Sequence, residues 1–290
     1  MLPLAGIPVG PGFFAPLCAA RGVTHASGPQ SAGRSDRRHA DALRRALLHV
    51  AHSRQSDQIK AGLAGLLLLC ASQSRGGGRA AEDIWRAMRT ASLQPREALR
   101  GFGARPLQVV EAPALYAILL VICRRAGLRR VPELYLLPFS GMNAYALGDA
   151  ETACISVTGD LLRGLSRQEI AGIFAHEVAH ILHCDGDAMN WAAMVQQAII
   201  ELASRSGSRL LAHAPLLARL LTSALSRVRE HAADLRALDL IEDRGALVDA
   251  LCKLEVFHTG RAPAPPPMGA YGSTALNSHP ETWERIAHLS

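Results

Sequence analysis

Aromatic residues are scarce in this 290-residue chain: Phe, Trp and Tyr together make up 4% of it. A nucleic-acid surface with aromatic side chains set among basic ones is therefore not expected, although the formal net charge is +6. Nearly all the basic residues are Arg, and a basic face resting on anionic lipid headgroups fits that composition better. Paired cysteines are missing too. Cys18, Cys70, Cys123, Cys154, Cys184 and Cys252 are scattered, with no C-x-x-C pair, which argues against a disulfide framework and for a reducing compartment. No apolar run reaches the roughly 18 residues expected of a transmembrane helix. The nearest, Ala61 to Ala71, is too short to span alone and reads as a buried or interfacial helix. The first residues have no basic start, and Pro3, Pro8, Pro11 and Pro16 interrupt their apolar character, so they do not read as a signal peptide.

Nearly half the residues are apolar, enough for a substantial core. Residues 1–38 are rich in Gly, Pro, Ser and Arg without a period and are expected to be irregular. Residues 39–95 form a helical N-terminal region, in which Leu43, Leu47 and Leu48 fall at helical spacing and Ser74 to Arg79 marks a break. A compact domain is expected over 96–290. In it, Ala112 to Ala126 reads as a helix closed by Gly127. Glu133 to Leu137, Asn143 to Leu147 and Cys154 to Thr158 read as strands, the last two joined by a hairpin turn at Gly148-Asp149. Ser166 to Glu169 is a capping box opening a helix whose apolar face carries Ile170, Ile173, Phe174, Val178 and Ile181. Long helices follow over Asp187 to Ser206 and Leu210 to Ile241, then Ala246 to His258, a Pro-rich loop from Arg261 to Met268, and a short helix near Thr282 to Leu289. The pattern is that of an α+β chain, mostly helical, with a small sheet.

The sequence His176-Glu177-Val178-Ala179-His180 lies on the capped helix. Residues four apart share a helix face, so both imidazoles can aim at one ion. Glu177 sits beside them, placed to take a proton from a water. A chance H-E-x-x-H is expected in about one chain of this composition in forty, so the rest of the site must be found. Catalytic zinc takes three protein ligands and keeps one position open. The variant with a third histidine nearby is excluded, because His183 stands where its Gly would be and Gly186 where its His would be. Two glutamates remain, Glu201 and Glu230. Glu201 is followed four residues on by Arg205, a cation that would not orient a ligand histidine. Glu230 is followed by Asp234, which can accept a proton from a ligand imidazole, so Glu230 is favoured. Cys184 lies close by, but a buried, inert thiol is the better reading of it. The site so assembled is that of a zinc hydrolase holding one Zn2+ per chain.

These residues resemble the HtpX-like zinc metalloproteases, a gluzincin group that also contains the CAAX prenyl proteases. The resemblance runs from about Arg105 to Leu289. It is carried by Glu111-Ala-Pro-Ala-Leu-Tyr116 with Arg125-Ala-Gly-Leu128, by Asn143-Ala-Tyr-Ala-Leu-Gly148, by Val157 to Leu162 with Ser166 to Ile170, by Ser226-Arg-Val-Arg-Glu230 through Asp234, and by Ser278-His-Pro280 with Arg285-Ile286. It implies a zincin-like fold, His176, His180 and Glu230 as zinc ligands, and Glu177 as catalytic base. It further implies that Asn143, Ala144, Tyr145 and Ala146 form an edge strand binding an extended peptide. His279 and Arg285 are expected near the cleft, where either could stabilise an oxyanion; the alternative for His279 is a loop histidine bonded to local backbone. Asp234, Arg227 and Arg285 are expected to hold the site. The implied substrates are membrane-associated or misfolded polypeptides, met at the cytoplasmic face of a bacterial inner membrane, with a soluble cytoplasmic enzyme as the alternative. The competing functional class is a non-catalytic zinc-binding or chaperone-like module on the same fold. Ala188 to Leu225, broken by Arg205, Arg209, His213 and Arg219, reads as an amphipathic hairpin or a lid rather than as membrane spans.

Overall fold

A computed structural model describes residues 31–74, 86, 94–264 and 279–289. The irregular segment expected up to residue 30, most of the helix expected over Ala81 to Ala91, the end of the Pro-rich loop and Ser278 lie outside the described residues. The elements are α1 (Ser31–Gln73), α2 (Pro95–Gly101), β1 (Arg105–Leu107), α3 (Pro113–Ala126), β2 (Glu133–Leu137), β3 (Ala144–Leu147), β4 (Cys154–Thr158), α4 (Gly159–Gly164), α5 (Arg167–Leu182), α6 (Asp185–Ser206), a 3-10 turn (Arg209–His213), α7 (Ala214–Leu240), α8 (Arg244–Thr259) and α9 (Thr282–Leu289). The fold is mostly helical, with one small mixed sheet, as an α+β zincin-like domain requires.

The sheet has the order β1-β2-β4-β3. β4 is central and buried at every position. It pairs in parallel with β2 and antiparallel with β3, so β3 is an edge strand with Tyr145 opposite Ser156. β1 is a strand the sequence does not announce: three residues, Arg-Pro-Leu, paired antiparallel with β2. It is too short for alternation to register. The expected turn at Gly148-Asp149 is instead a longer connection running to Ala153. The Asp149 carboxylate accepts there from the backbone amides of Glu151 and Thr152 and from the Thr152 hydroxyl. α1 begins at Ser31 rather than near residue 39. No proline lies between Pro29 and Pro95 to stop it.

Two large hydrophobic cores result, with a smaller cluster of Leu99, Ala104, Tyr135, Leu137 and Cys154 on the other face of the sheet's β2 edge. The first joins the sheet to α3, α5, α8 and the second half of α7, and contains Leu119, Ile155, Val157, Phe174, Val178 and Leu247. The second lies between α1, α6 and the first half of α7, and contains Leu63, Leu67, Val195, Ile199 and Leu225. α7, at about 40 Å long, belongs to both. α5 starts from the expected capping box: the Glu169 amide donates to Ser166 Oγ and the Ser166 amide to Glu169 Oε2. Lys253 of α8 donates to the same Glu169 oxygen at 2.8 Å. All five apolar residues of the expected α5 stripe are buried.

α5 and α8 touch backbone to backbone at Gly172. A methyl added there would lie 2.9 Å from Leu247 Cα and 3.0 Å from its nitrogen. On an open helix, Gly172→Ala would add about 1 kcal/mol of helix propensity. Here the clash prevails, and the variant is expected to lose about 1–3 kcal/mol, read as a lower Tm in thermal unfolding. A Tm at or above the wild-type value would show that the two helices separate without cost.

Candidate metal centre

α5 carries His176 and His180 one turn apart on a buried face, and α7 brings Glu230 against them. The two Nε2 atoms are 2.9 Å apart. Glu230 Oε2 lies 3.5 Å from the first and Oε1 3.6 Å from the second. Ligand atoms bound at about 2.05 Å in a tetrahedron are about 3.3 Å apart, and these separations straddle that value. Of the glutamates weighed for the third position, Glu201 is exposed on α6 and pairs with Arg205. Cys184 is exposed and is not one of the clustered groups.

Each imidazole is held from behind by a carboxylate. His176 Nδ1 is 2.9 Å from Asp234 Oδ1, and His180 Nδ1 is 2.6 Å from Asp185 Oδ2. An ionised carboxylate only accepts, so each Nδ1 carries the proton and turns the Nε2 lone pair inward. Asp234 is where the sequence places it. Asp185 is not foreseen. It is the first residue of α6, brought back to His180 because Cys184 adopts a left-handed conformation, φ 53 and ψ 42. Four acidic side chains, Glu177, Glu230, Asp185 and Asp234, outnumber two guanidiniums, Arg229 and Arg285. That balance, with two inward lone pairs and a carboxylate oxygen, suits a divalent cation.

Arg285 grips Asp234 with two hydrogen bonds, Nε to Oδ2 at 2.7 Å and Nη2 to Oδ1 at 2.6 Å. Its Nη1 is 3.4 Å from Glu230 Oε2. Of the two roles expected of Arg285, these contacts fit the one of holding the site, since its guanidinium faces Asp234 and Glu230. Arg227, also expected to hold the site, is half-buried on α7 within electrostatic reach of Glu284 on α9. The arginine bonded to a ligand-holding carboxylate on that helix is Arg229, ion-paired with Asp185. His279 Nδ1 is 3.4 Å from Glu230 Oε1, with a side chain 69% exposed. Glu177 is buried next to His176, and its charge reaches Tyr145 on the edge strand β3.

Burial opposes the charged forms of Asp234, Glu230, His176, His180 and His279, and specific partners overcome it at all of these but His180. Asp234 is desolvated, yet Arg285 and His176 drive its carboxyl far below the usual range. Glu230 is held well below that range by His279, His176 and Arg285. Asp234 and Glu230 push His176 up against its burial, a pull towards positive charge that a metal on Nε2 would satisfy in place of a proton, while burial and the charge of His176 lower His180. Glu230 in turn raises His279.

A helix bearing H-E-x-x-H beside a small mixed sheet, with a glutamate supplied by a later helix, defines a metallopeptidase of the zincin class. The comparisons agree. The model of Peptidase family M48 matches residues 110–290. A Protease HtpX homolog of Acaryochloris marina is 35% identical over 224 residues, covering 66% of this chain and 76% of the relative. One of Nostoc punctiforme is 32% identical over 225 residues, and one of Gemmatimonas aurantiaca 30% identical over 273 residues, covering 80% of this chain and 95% of the relative. The chain belongs to peptidase family M48 and is an HtpX-like metalloendopeptidase.

The Arg285–Asp234 pair generates a pH-dependent prediction. Arg285→Met leaves Asp234 as a buried carboxylate without its main countercharge and Glu230 with one fewer, and is expected to destabilise by about 3–5 kcal/mol at pH 7. In the wild type the depressed Asp234 pKa contributes stability above its unfolded value, and that contribution is lost as pH falls. In the variant, protonation relieves the unpaired carboxylates. The Tm gap between the two proteins should therefore narrow as pH drops through about 4. A gap independent of pH would show that the loss is one of packing alone.

Proposed function

We propose that the metal is one Zn2+ per chain, held by His176, His180 and Glu230, and that Glu177 is the general base of peptide hydrolysis. The observation that supports this most is the convergence of the two Nε2 atoms and the Glu230 carboxylate within 4.8 Å of one another beside a buried Glu177. Zinc, when bound, supplies Lewis-acid polarisation of the scissile carbonyl and acidifies the attacking water. The Glu177 carboxylate takes a proton from that water and passes it to the leaving amine nitrogen. His279, drawn towards its charged form by Glu230 and open to solvent, donates a hydrogen bond where negative charge develops on the carbonyl oxygen. The polypeptide lies extended along Asn143, Ala144, Tyr145 and Ala146. β3 has no neighbour on its outer side among the described residues, so its free backbone groups can pair with a substrate strand. Asp234 and Arg285 keep His176 and Glu230 in place.

The substrate class we propose is membrane-associated or misfolded protein, met at the cytoplasmic face of the membrane. No described helix is long and apolar enough to cross a bilayer. Support for surface contact comes from the end of the second core, where Ser74 Oγ donates to Leu202 O. Leu68 and Leu69 are exposed on α1, and Ile200, Leu210, Leu216 and Leu217 on the α6–α7 stretch that also carries Arg205, Arg209 and Arg219. On this reading 96–290 is the protease and 39–95 helps carry it to the surface.

Glu177→Gln keeps the ligands and removes the base. Casein cleavage or self-cleavage should fall at least about a hundredfold, with zinc content by elemental analysis unchanged. Cleavage at the wild-type rate would sink the mechanism. For the surface, the protein should co-sediment with phosphatidylglycerol vesicles, and Leu210→Asp with Leu217→Asp should release it. Equal sedimentation of the variant would remove this end from the contact.

A further inference from the structure

α1 lies outside the residues matched by the family model, which begin at 110. It nevertheless reaches the metal centre. We infer that a chain of side chains, Ser56 to Arg229 to Asp185, fixes His180 from the α1 side, and that Asp185 and Arg229 are positioning residues for this ligand. The inference rests on the metallopeptidase reading and deepens it.

Asp185 is buried, and its two oxygens are divided between two partners. Oδ2 takes the His180 Nδ1 proton at 2.6 Å, and Oδ1 is ion-paired with Arg229. Arg229 points away from solvent. Its Nη2 also donates to the His183 carbonyl, and its Nη1 donates to Ser56 Oγ at 3.3 Å. Ser56 is buried on α1. The guanidinium therefore binds three separate pieces of chain: α1, the end of α5 and the start of α6. The planar fork suits this task, because one rigid group sets three directions at once.

The turn between α5 and α6 shows what the arrangement overcomes. Cys184 is the one described non-glycine residue with positive φ. A non-glycine residue there costs about 1–3 kcal/mol unless its surroundings impose the conformation. Gly186 stands two residues away, where it relieves nothing at Cys184. The turn is imposed by Arg229, which holds the His183 carbonyl before the strained residue and the Asp185 carboxylate after it. His176 has a matching support in Asp234 and Arg285 of α9. Each ligand imidazole is thus backed by a carboxylate and an arginine, one anchored on α9 and the other on α1.

The test measures zinc affinity on the full chain by competition with a chromogenic chelator, together with the visible absorption of the cobalt(II)-substituted protein. Asp185→Asn and Arg229→Met should each weaken zinc binding by about 10- to 100-fold and shift the cobalt bands. The double variant should bind about as weakly as the worse single one, because the residues act in series. Ser56→Ala should give a smaller loss in the same direction. Wild-type affinity and spectrum in folded Asp185→Asn and Arg229→Met would overturn the inference. If those variants do not fold, Ser56→Ala and Arg229→Lys decide, and unchanged affinity and spectrum in both overturn it equally. A wild-type protein that binds no zinc would sink the metal reading itself, a distinct result.

Discussion

Two imidazole nitrogens with inward lone pairs, 2.9 Å apart and faced by a carboxylate, repel one another unless a positive charge sits between them. The rest of the structure serves that constraint. Each Nδ1 must be fixed as a donor, which requires Asp234 and Asp185. Those carboxylates are buried, which requires Arg285 and Arg229. The arginines must come from elements that pack against the site without entering it, which requires α9 on one side and the α1–α7 contact on the other. The cluster of His176, His180 and Glu230 has thus recruited four helices besides the one bearing its motif.

The ligands belong to different helices, so their relative position matters more than either helix alone. α5 is anchored by its capping box and by Lys253 on Glu169, and is drawn close to α8 by the missing side chain at Gly172. α7 is anchored twice. Its second half lies in the core shared with the sheet, and its first half in the core shared with α1 and α6. Glu230 falls between those halves. A change in how α1 packs therefore reaches Glu230 through the helix as well as Asp185 through Arg229.

Much of this was legible in the sequence because it is local. The capping box, the 3.6-residue stripe of α5, the pairing of Glu230 with Asp234 and three of the strands all show within a few residues of each other. What stayed hidden depends on a turn or on a rotation. β1 is three residues long and gains its identity only from β2. Asp185 lies five residues past His180, a spacing that no continuous helix would bring to Nδ1; the left-handed turn at Cys184 does so, without a glycine at that position to reveal it. Arg227 and Arg229 are two apart, about 200° around a helix. The motif drew attention to Arg227, while the helix turns Arg229 inwards. Asp234 and Arg285 were thus legible as supports from the sequence, while Asp185 and Arg229 show only once the turn and the helix direction are known.

The same rotation places Glu230 and His231 on adjoining faces of α7, about 100° apart. Glu230 turns to the ligands. The His231 ring lies 4.3 Å from that of His288 on α9 and 6.3 Å from that of His52 on α1. Burial, His288 and His52 lower the His231 pKa to about 4, and burial also lowers His52. The uncharged rings of His231 and His52 can pack there as apolar surface, where two cations would repel. The back of α7 is thus the place where His231 touches a histidine from each of the two helices anchoring the opposite arginines. One residue away from Glu230, His231 and His52 are both held towards the neutral form by burial, which leaves the charged groups to the site itself.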